Sequence, residues 1–320
     1  MGVGVETLHV TNGDSVLYLW KKAGLLGTHL AWRDALHEGP VPAGRDLEEL
    51  SRIRARYLAE NGFGNGIKIG RDFEKRDAML RRAAEFDEVV LWFEHDLYDQ
   101  LQILQIVDAL AAGNLRAGSV QLIQSDQYLG LLSPDELMSL LPKRRTVTTA
   151  VAQGARRAWA SFTSDAPLEL NAATNAQFVG LPFLRESLKR LCEEFPAIDS
   201  GLSRTEKQIL MACEEGARTL EQLFRRSQAH EEAAFLSDAA CAAIVARLCA
   251  APEPLLATLE DGYELTVLGR RVRGGDTDWL DHQPVDRWIG GTHLTLQRQW
   301  RWDDRTDELI EYVAAAEPKE

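Results

Sequence analysis

The stretch DEVVLWFEHDLYDQ, residues 87–100, decides how the first part of this chain folds. Its five consecutive apolar residues, 89–93, are typical of a strand that is covered on both faces of a sheet. The following segment, 97–113, has the length and composition of a buried helix. Glu94, His95 and Asp96 stand between the two without a spacer. The stretch therefore predicts a strand–helix unit with titratable groups at its junction.

Strand and helix signals alternate through the first half of the chain. Strands are predicted over 6–10, 28–36, 88–93 and 118–125. Helices are predicted over 16–24, 46–62, 71–86, 97–113 and 133–141. Ser133 and Glu136 form a capping box at the last of these, with Pro134 at its first position. This alternation predicts an α/β domain over 1–147, with an open, mostly parallel sheet and helices on both faces.

Three further segments are expected in a chain of 320 residues, which is too long for one ordinary core. Residues 148–200 read as an all-helical connector. Residues 201–275 predict helices and then a hairpin that turns at Asp261-Gly262. That order resembles a winged helix-turn-helix domain. The segment 276–320, rich in Trp and Arg, is expected to pack on the body of the protein.

The amino-acid composition limits the kinds of partner that the chain is expected to bind. Its net charge of −13 disfavours broad binding to a phosphate backbone. The third helix of the winged-helix-like module offers only Arg247, so a protein partner is favoured over DNA. Neither a signal peptide nor an apolar stretch long enough to span a bilayer is found. The four cysteines form no CxxC pair, and a cytoplasmic protein without a membrane partner is expected.

Each predicted strand of the first domain runs into polar residues, and the carboxyl ends of parallel strands share one edge of a sheet. These polar residues are therefore expected to meet in one crevice. The candidate catalytic residues are Ser15, His37, Glu94 and His95. The candidate ligand-binding residues at the strand ends are Asn12, Gly13, Asp14, Arg33, Asp34, Glu38 and Asp96, and the tail could add Arg287 and His293 for an anionic ligand.

Simpler interpretations compete with a functional one. Asp14 or Ser15 could cap the helix after the first strand, and Asp96 could cap the helix that begins at Leu97. Asp34 and His37 could hold their own loop in a tight turn. Glu94 is harder to explain in this way, because an unpaired carboxylate at the end of a buried strand is costly.

Three chemistries remain open for the crevice. The piece NGDS, residues 12–15, resembles the first block of the GDS-type esterases, which implies Ser15 as nucleophile and His37 or His95 as its base. The downstream blocks of those esterases are missing. A mixed histidine and carboxylate set would suit a divalent metal such as Zn, Mn or Fe and a metal-assisted hydrolase. The glycine turn before a helix would suit a phosphorylated or nucleotide-like ligand.

The motifs LHVTNGDS (8–15), WRDALHEGPVP (32–42) and LWFEHDLYDQLQ (91–102), with the pair RD at 71–72, together resemble a bacterial domain-of-unknown-function family, number 1835. The resemblance covers the first 125 residues or so. It implies relatedness and no particular reaction. We therefore expect a cytoplasmic protein that binds a small polar, phosphorylated or nucleotide-like ligand and is a candidate hydrolase. The alternative is a non-enzymatic regulator that uses its winged helix.

Overall fold

The computed structural model describes residues 5–113, 118–250 and 252–312. Its first part has the predicted α/β class. The strands here are β1 (Thr7–Thr11), β2 (Thr28–Ala31), β3 (Gly39–Pro40), β4 (Glu88–Glu94), β5 (Val120–Ser125) and β6 (Arg145–Thr146). The helices are α1 (Asp14–Ala23), α2 (Leu47–Glu60), α3 (Gly66–Arg81), α4 (Leu97–Ala111) and α5 (Pro134–Met138).

The remaining elements are mostly helical up to residue 250 and mostly strands after it. The helices are α6 (Thr149–Thr163), α7 (Leu168–Ala173), α8 (Leu184–Cys192), α9 (Arg204–Glu214), α10 (Leu220–Gln228), α11 (Asp238–Ala250) and α12 (Val267–Arg273). The strands are β7 (Leu256–Leu259), β8 (Gly262–Leu265), β9 (Arg287–Gly290), β10 (Thr292–Leu294), β11 (Gln299–Asp303) and β12 (Glu308–Tyr312).

The main sheet has the strand order β2–β1–β4–β5–β6. The first four strands are parallel, and the short β6 runs antiparallel to β5 at one edge. Val10 lies in register with Leu30 on one side and with Leu91 on the other. The chain therefore moves outward from β1 in both directions, which places a topological switch point between β1 and β4.

Both faces of the sheet are covered by helices, as predicted. On one face, Leu91 and Phe93 pack in the large apolar cluster that includes α4. On the other face, Trp92 packs in a cluster with Trp20 of α1 and Leu137 of α5. The strict alternation of side chains along β4 divides the apolar run between these two clusters, which is why every position of the run is hydrophobic.

Several predicted bounds are wrong by a few residues. Helix α1 begins at Asp14 and α3 at Gly66, earlier than predicted, and β2 ends at Ala31. The hairpin of β7 and β8 pairs Leu259 with Gly262, so Glu260 and Asp261 form its turn. The pairing register of a hairpin fixes its two turn residues. The turn predicted from the sequence lies one residue later along the chain than the turn in the structure.

The C-terminal segments are joined to the α/β part. Strand β9 pairs in parallel with β3, with Ile289 opposite Gly39. The largest apolar cluster contains residues from all four predicted segments, for example Leu8, Val151, Ile209 and Trp300. The helices and hairpin expected over 201–275 are present in the predicted order, while the winged-helix interpretation and the domain boundaries stay predictions. Residues 313–320 of the predicted tail, and residues 1–4 of the first domain, lie outside the described residues.

In the part of the chain that the structure describes, no helix combines the length and the apolar character needed to cross a bilayer.

Candidate functional site

The switch point between β1 and β4 brings together polar groups from three elements. Asn12, directly after β1, donates its side-chain amide to the carboxylate of Asp99 over 2.7 Å. Asp99 lies in the first turn of α4, and Asp96 is the N-cap of that helix. Glu94 is the last residue of β4. Crevices at such switch points are the usual ligand sites of open parallel sheets.

Glu94, Asp96 and Asp99 form a buried carboxylate cluster. One oxygen of each lies within 4.8 Å of the others. Their exposed fractions are 5%, 4% and 0%. Asp96 accepts a 3.0 Å hydrogen bond from the Asp99 N–H, so its predicted role as a helix cap is confirmed. Asp99 in turn accepts a short hydrogen bond from the Glu94 N–H.

Two neighbouring segments hold Glu94 in place. The N–H of Leu129, in a short 3₁₀ turn after β5, donates to the Glu94 carboxylate over 2.7 Å. Gln100 donates its side-chain amide to the Glu94 carbonyl over 2.7 Å. The Gln100 side chain is fully buried, and its amide oxygen has no hydrogen-bond partner among the described residues. The residue that follows Asp99 in α4 thus has a buried oxygen acceptor without a partner in the described part of the chain.

The electrostatic environment of the three carboxylates is unusual. Within the described residues, none of the three carboxylates takes part in an ion pair. Burial raises the pKa of Glu94 to about 7, and hydrogen bonds from Leu129, Asn12 and Gly130 only partly oppose it. Burial, with the charge of Glu94, raises the pKa of Asp96 to about 8. Burial and both neighbouring carboxylates hold the pKa of Asp99 well above its usual range.

The rim of the crevice is more open. Gly13 is the N-cap of α1 and supplies no side-chain cap, so the prediction that Asp14 or Ser15 caps this helix is wrong. Asp14 is exposed and instead accepts hydrogen bonds from the Arg33 guanidinium, one of them 3.0 Å long. Ser15 is also exposed in the first helical turn. The N–H groups at the start of α1 are therefore not capped by a side chain.

His95 stands at the mouth, between Glu94 and Asp96. Its ring is half-buried and lies 5.3 Å from the Tyr128 ring and 5.8 Å from the Phe183 ring. Its Nδ1 atom is buried and has no hydrogen-bond partner in the described part of the chain. Hydrogen bonds of the described residues do not link Ser15 to His95 or to His37, so the arrangement expected for an esterase is not formed.

Asp34 is held in a different way from the sequence expectation. It is fully buried and pairs with Arg54 over 3.0 Å, and Arg54 also donates to the carbonyls of Ala35 and Glu38. The loop after β2 is therefore clamped by an arginine of α2, which gives Asp34 a structural task. No hydrogen bond joins Asp34 to His37 among the described residues, so they do not form the expected loop pair.

His37 and Glu38 do not belong to the carboxylate cluster. The His37 ring is 5.9 Å from that of Tyr98, the residue before Asp99, so it lies at the same end of the molecule as Glu94. Both of its ring nitrogens are buried without partners in the described residues. Burial lowers its pKa to about 3, which leaves the ring neutral. Glu38 pairs with Arg287 over 3.5 Å.

The tail residues do not reach the crevice. Arg287, whose side chain is 13% exposed, binds Glu194 over 3.1 Å in addition to Glu38. His293 binds Asp286 over 2.7 Å and stacks on Trp288 with ring centroids 4.4 Å apart. Neither side chain bonds to the carboxylate cluster in the residues described, so the structure does not place them on the predicted ligand. These contacts join Arg287 to Glu38 and Glu194, and they join His293 to residues of the tail itself.

The candidate set from the sequence omitted Asp99 and Gln100. Both belong to the polar face that α4 turns toward β4, and both carry bonds inside the crevice. An Asp in the first turn of an otherwise apolar helix, directly after a buried strand, was the available signal. No pattern in the sequence indicates that the backbone N–H of Leu129 contacts Glu94, because only the tertiary fold brings the two together.

Comparisons with known proteins add no relative to this picture. No protein-family model matches the chain, and no curated protein matches it. The resemblance to family 1835 therefore stays a prediction.

Proposed function

We propose that the crevice between β1 and β4 binds a divalent cation together with a small phosphorylated or nucleotide-like ligand, and that the protein hydrolyses this ligand. The observation that carries the proposal is the convergence of three buried carboxylates at a topological switch point. Three such groups repel one another when ionised, and no ion pair of the described residues offsets that charge. A bound cation would remove the repulsion.

The donor set favours a hard cation. Glu94, Asp96 and Asp99 offer oxygen atoms only. Oxygen ligands suit Mg²⁺ and Mn²⁺ better than Zn²⁺, which favours nitrogen and sulfur. The histidines that were predicted as metal ligands are not in this group. We therefore propose a metal site with oxygen ligands only, in place of the mixed set of histidines and carboxylates.

The anionic part of the ligand has its own partners at the rim. The uncapped N-terminus of α1 presents backbone N–H groups and the positive end of the helix dipole. Arg33, whose side chain is 41% exposed, stands beside it and already binds Asp14. A phosphate between α1 and the cation would be neutralised from both sides, and Asp14 and Ser15 would meet its hydroxyl groups.

For hydrolysis, we assign the acid–base role to His95, because Glu94 belongs to the proposed cation site. The half-buried His95 ring has a free Nδ1 and lies at the mouth between two cluster residues. A cation in the cluster would polarise the phosphoryl oxygens and activate a water molecule.

Calorimetric titration with MnCl₂, followed by ADP in the presence of Mn²⁺, tests the proposal. We expect Mn²⁺ binding by the wild type and at least about tenfold weaker binding by Glu94→Gln. Asp126→Asn, which removes an exposed carboxylate at the same sheet edge, is the matched control and should bind like the wild type. If the wild type did not bind Mn²⁺, the proposed cation site would be wrong, and the cluster would consist of carboxyl groups that share protons. Phosphate release assays on the same variants separate binding from hydrolysis.

The alternative regulator is less well supported. Arg247 of α11 binds Glu206 over 2.9 Å, and Arg270 and Arg273 pair with Glu264 and Glu214. Basic side chains that are paired within the module are less available to DNA. Membership in family 1835 belongs to our proposal as well, because the motif residues Asn12, Glu94, His95 and Asp96 lie at the crevice. Binding of a labelled DNA duplex without any binding of Mn²⁺ or ADP would favour the regulator.

A further inference from the structure

A second cavity, of about 430 Å³, lies at the opposite end of α4 from the carboxylate cluster. The start of α2, the end of α3, the second half of α4 and one side of α6 form its walls. Most of its lining is apolar, including Leu47, Leu50, Leu80, Ala83, Leu110 and Trp159. Its volume and apolar walls are those of a site for a small molecule.

One buried polar group in this lining has an unused hydrogen-bond donor. Gln105 is 2% exposed, and its amide oxygen accepts a 2.7 Å hydrogen bond from the Trp32 indole. Its amide nitrogen has no partner among the described residues. Because the oxygen is occupied, the nitrogen is the polar group of this side chain that still lacks a partner. A buried donor without an acceptor is costly, so an acceptor on a ligand would be favoured.

The charged residues of the lining balance one another. The lining contains two arginines, Arg45 and Arg81, and two aspartates, Asp46 and Asp108. Asp46 also caps α2 by accepting the Glu49 N–H, and Asp108 binds an arginine of α6. Equal numbers of positive and negative groups give a charged ligand no net attraction, which favours a neutral one.

We propose that this cavity binds a small, neutral aromatic molecule with one hydrogen-bond acceptor, a carbonyl oxygen or a ring nitrogen. The acceptor receives the free Gln105 amide hydrogen, and the half-buried Trp159 ring supplies an aromatic wall. This site is separate from the crevice and does not depend on the function proposed for it.

A matched pair of probes tests the assignment. 2-Acetonaphthone and 2-ethylnaphthalene have nearly the same shape, but only the first has a carbonyl acceptor. Binding measured by saturation-transfer NMR should be about fivefold to tenfold tighter for the ketone in the wild type. The variant Gln105→Met should lose this preference while it keeps the affinity for the hydrocarbon.

Ala109→Phe locates the probes. Ala109 lines the cavity from a half-exposed position of α4, so the larger side chain fills the space without entering the core. Both probes should then lose their binding, and this variant decides the question even if Gln105→Met does not fold. Equal affinity of the two probes for the wild type would mean that a water molecule accepts the Gln105 amide hydrogen. This result would overturn the proposal. So would unchanged binding by Ala109→Phe, or binding of neither probe.

Discussion

The side-chain amide of Asn12 donates a hydrogen bond of 2.7 Å to the carboxylate of Asp99, and this contact joins the end of β1 to the first turn of α4. The two residues are 87 positions apart in the chain. Asp99 also accepts from the N–H of Glu94. A carboxylate with no counter-charge is thus fixed by neutral donors from two strand ends, which aligns it with its acidic neighbours.

Glu94→Gln should stabilise the metal-free protein. The substitution keeps an oxygen that accepts the Leu129 N–H and replaces a repelling charge by an amide donor for the neighbouring carboxylates. We expect the free energy of unfolding, measured by urea denaturation at pH 8 with a chelator, to rise by about 1–3 kcal/mol. Asp126→Asn should leave it unchanged. A loss of stability in Glu94→Gln would show that the charge of Glu94 is compensated inside the fold.

The stability of the metal-free protein should depend on pH in a defined direction. The folded pKa values of Glu94 and Asp96, about 7 and about 8, exceed those of an unfolded chain. The folded state therefore holds these protons more tightly, and their contribution is complete below about pH 4 and lost as the pH rises to about 8. Urea midpoints with a chelator should fall across that window, and less so in Glu94→Gln. A flat profile in the wild type would contradict the raised pKa values.

Added Mn²⁺ should reverse this trend. A cation replaces the protons as the partner of the carboxylates, so its affinity should increase as the pH rises toward 8. At a free concentration of 100 times Kd, it should stabilise the wild type by about 2.7 kcal/mol. Thermal unfolding followed by circular dichroism, with and without Mn²⁺, measures the effect. Stabilisation of equal size in Glu94→Gln would place the ion elsewhere.

Arg54→Met should destabilise the protein strongly. Arg54 is fully buried, and its loss leaves Asp34 without its closest ion-pair partner and two carbonyls of the loop after β2 without this donor. Breaking a buried pair in this way costs about 3–5 kcal/mol. Arg56→Met is the control on the same helix, because Arg56 is 80% exposed and its ion pair in the described part of the chain is with the exposed Glu60. Its cost should stay below about 1 kcal/mol. Urea denaturation of both variants provides the comparison.

Arg287→Met should loosen the tail from the α/β part. Burial alone would raise the pKa of Glu194, but Arg190 and Arg287 outweigh it and hold that pKa at about 2. Removal of Arg287 leaves Glu38 and Glu194 facing each other with less compensation. Hydrogen exchange of β9 and β3 should accelerate, whereas the exposed Arg298→Met should leave it unchanged. Equal protection in both variants would mean that apolar packing alone holds the tail.

Local patterns in the chain were sufficient for much of the fold. The apolar run of β4, the capping boxes at Ser133 and Ser203, and the helix cap at Asp96 all act over a few residues, and the structure contains each of them. The predicted site was less complete, because polarity at a strand end does not reveal the partner. Asp34 has the same sequence character as Glu94, yet a buried arginine binds one and not the other.

The sequence by itself determined the α/β class, the strand-end position of Glu94, His95 and Asp96, and the excess of acidic over basic side chains. Periodicity and residue type are properties of neighbouring residues, and total charge is a sum over all side chains of the chain. Only the tertiary structure decided that Asn12 and Asp99 meet, that His37 lies outside the carboxylate cluster, and that Gln105 lines a cavity. Such contacts join distant parts of the chain, and they exist only after the strands have taken their order in the sheet.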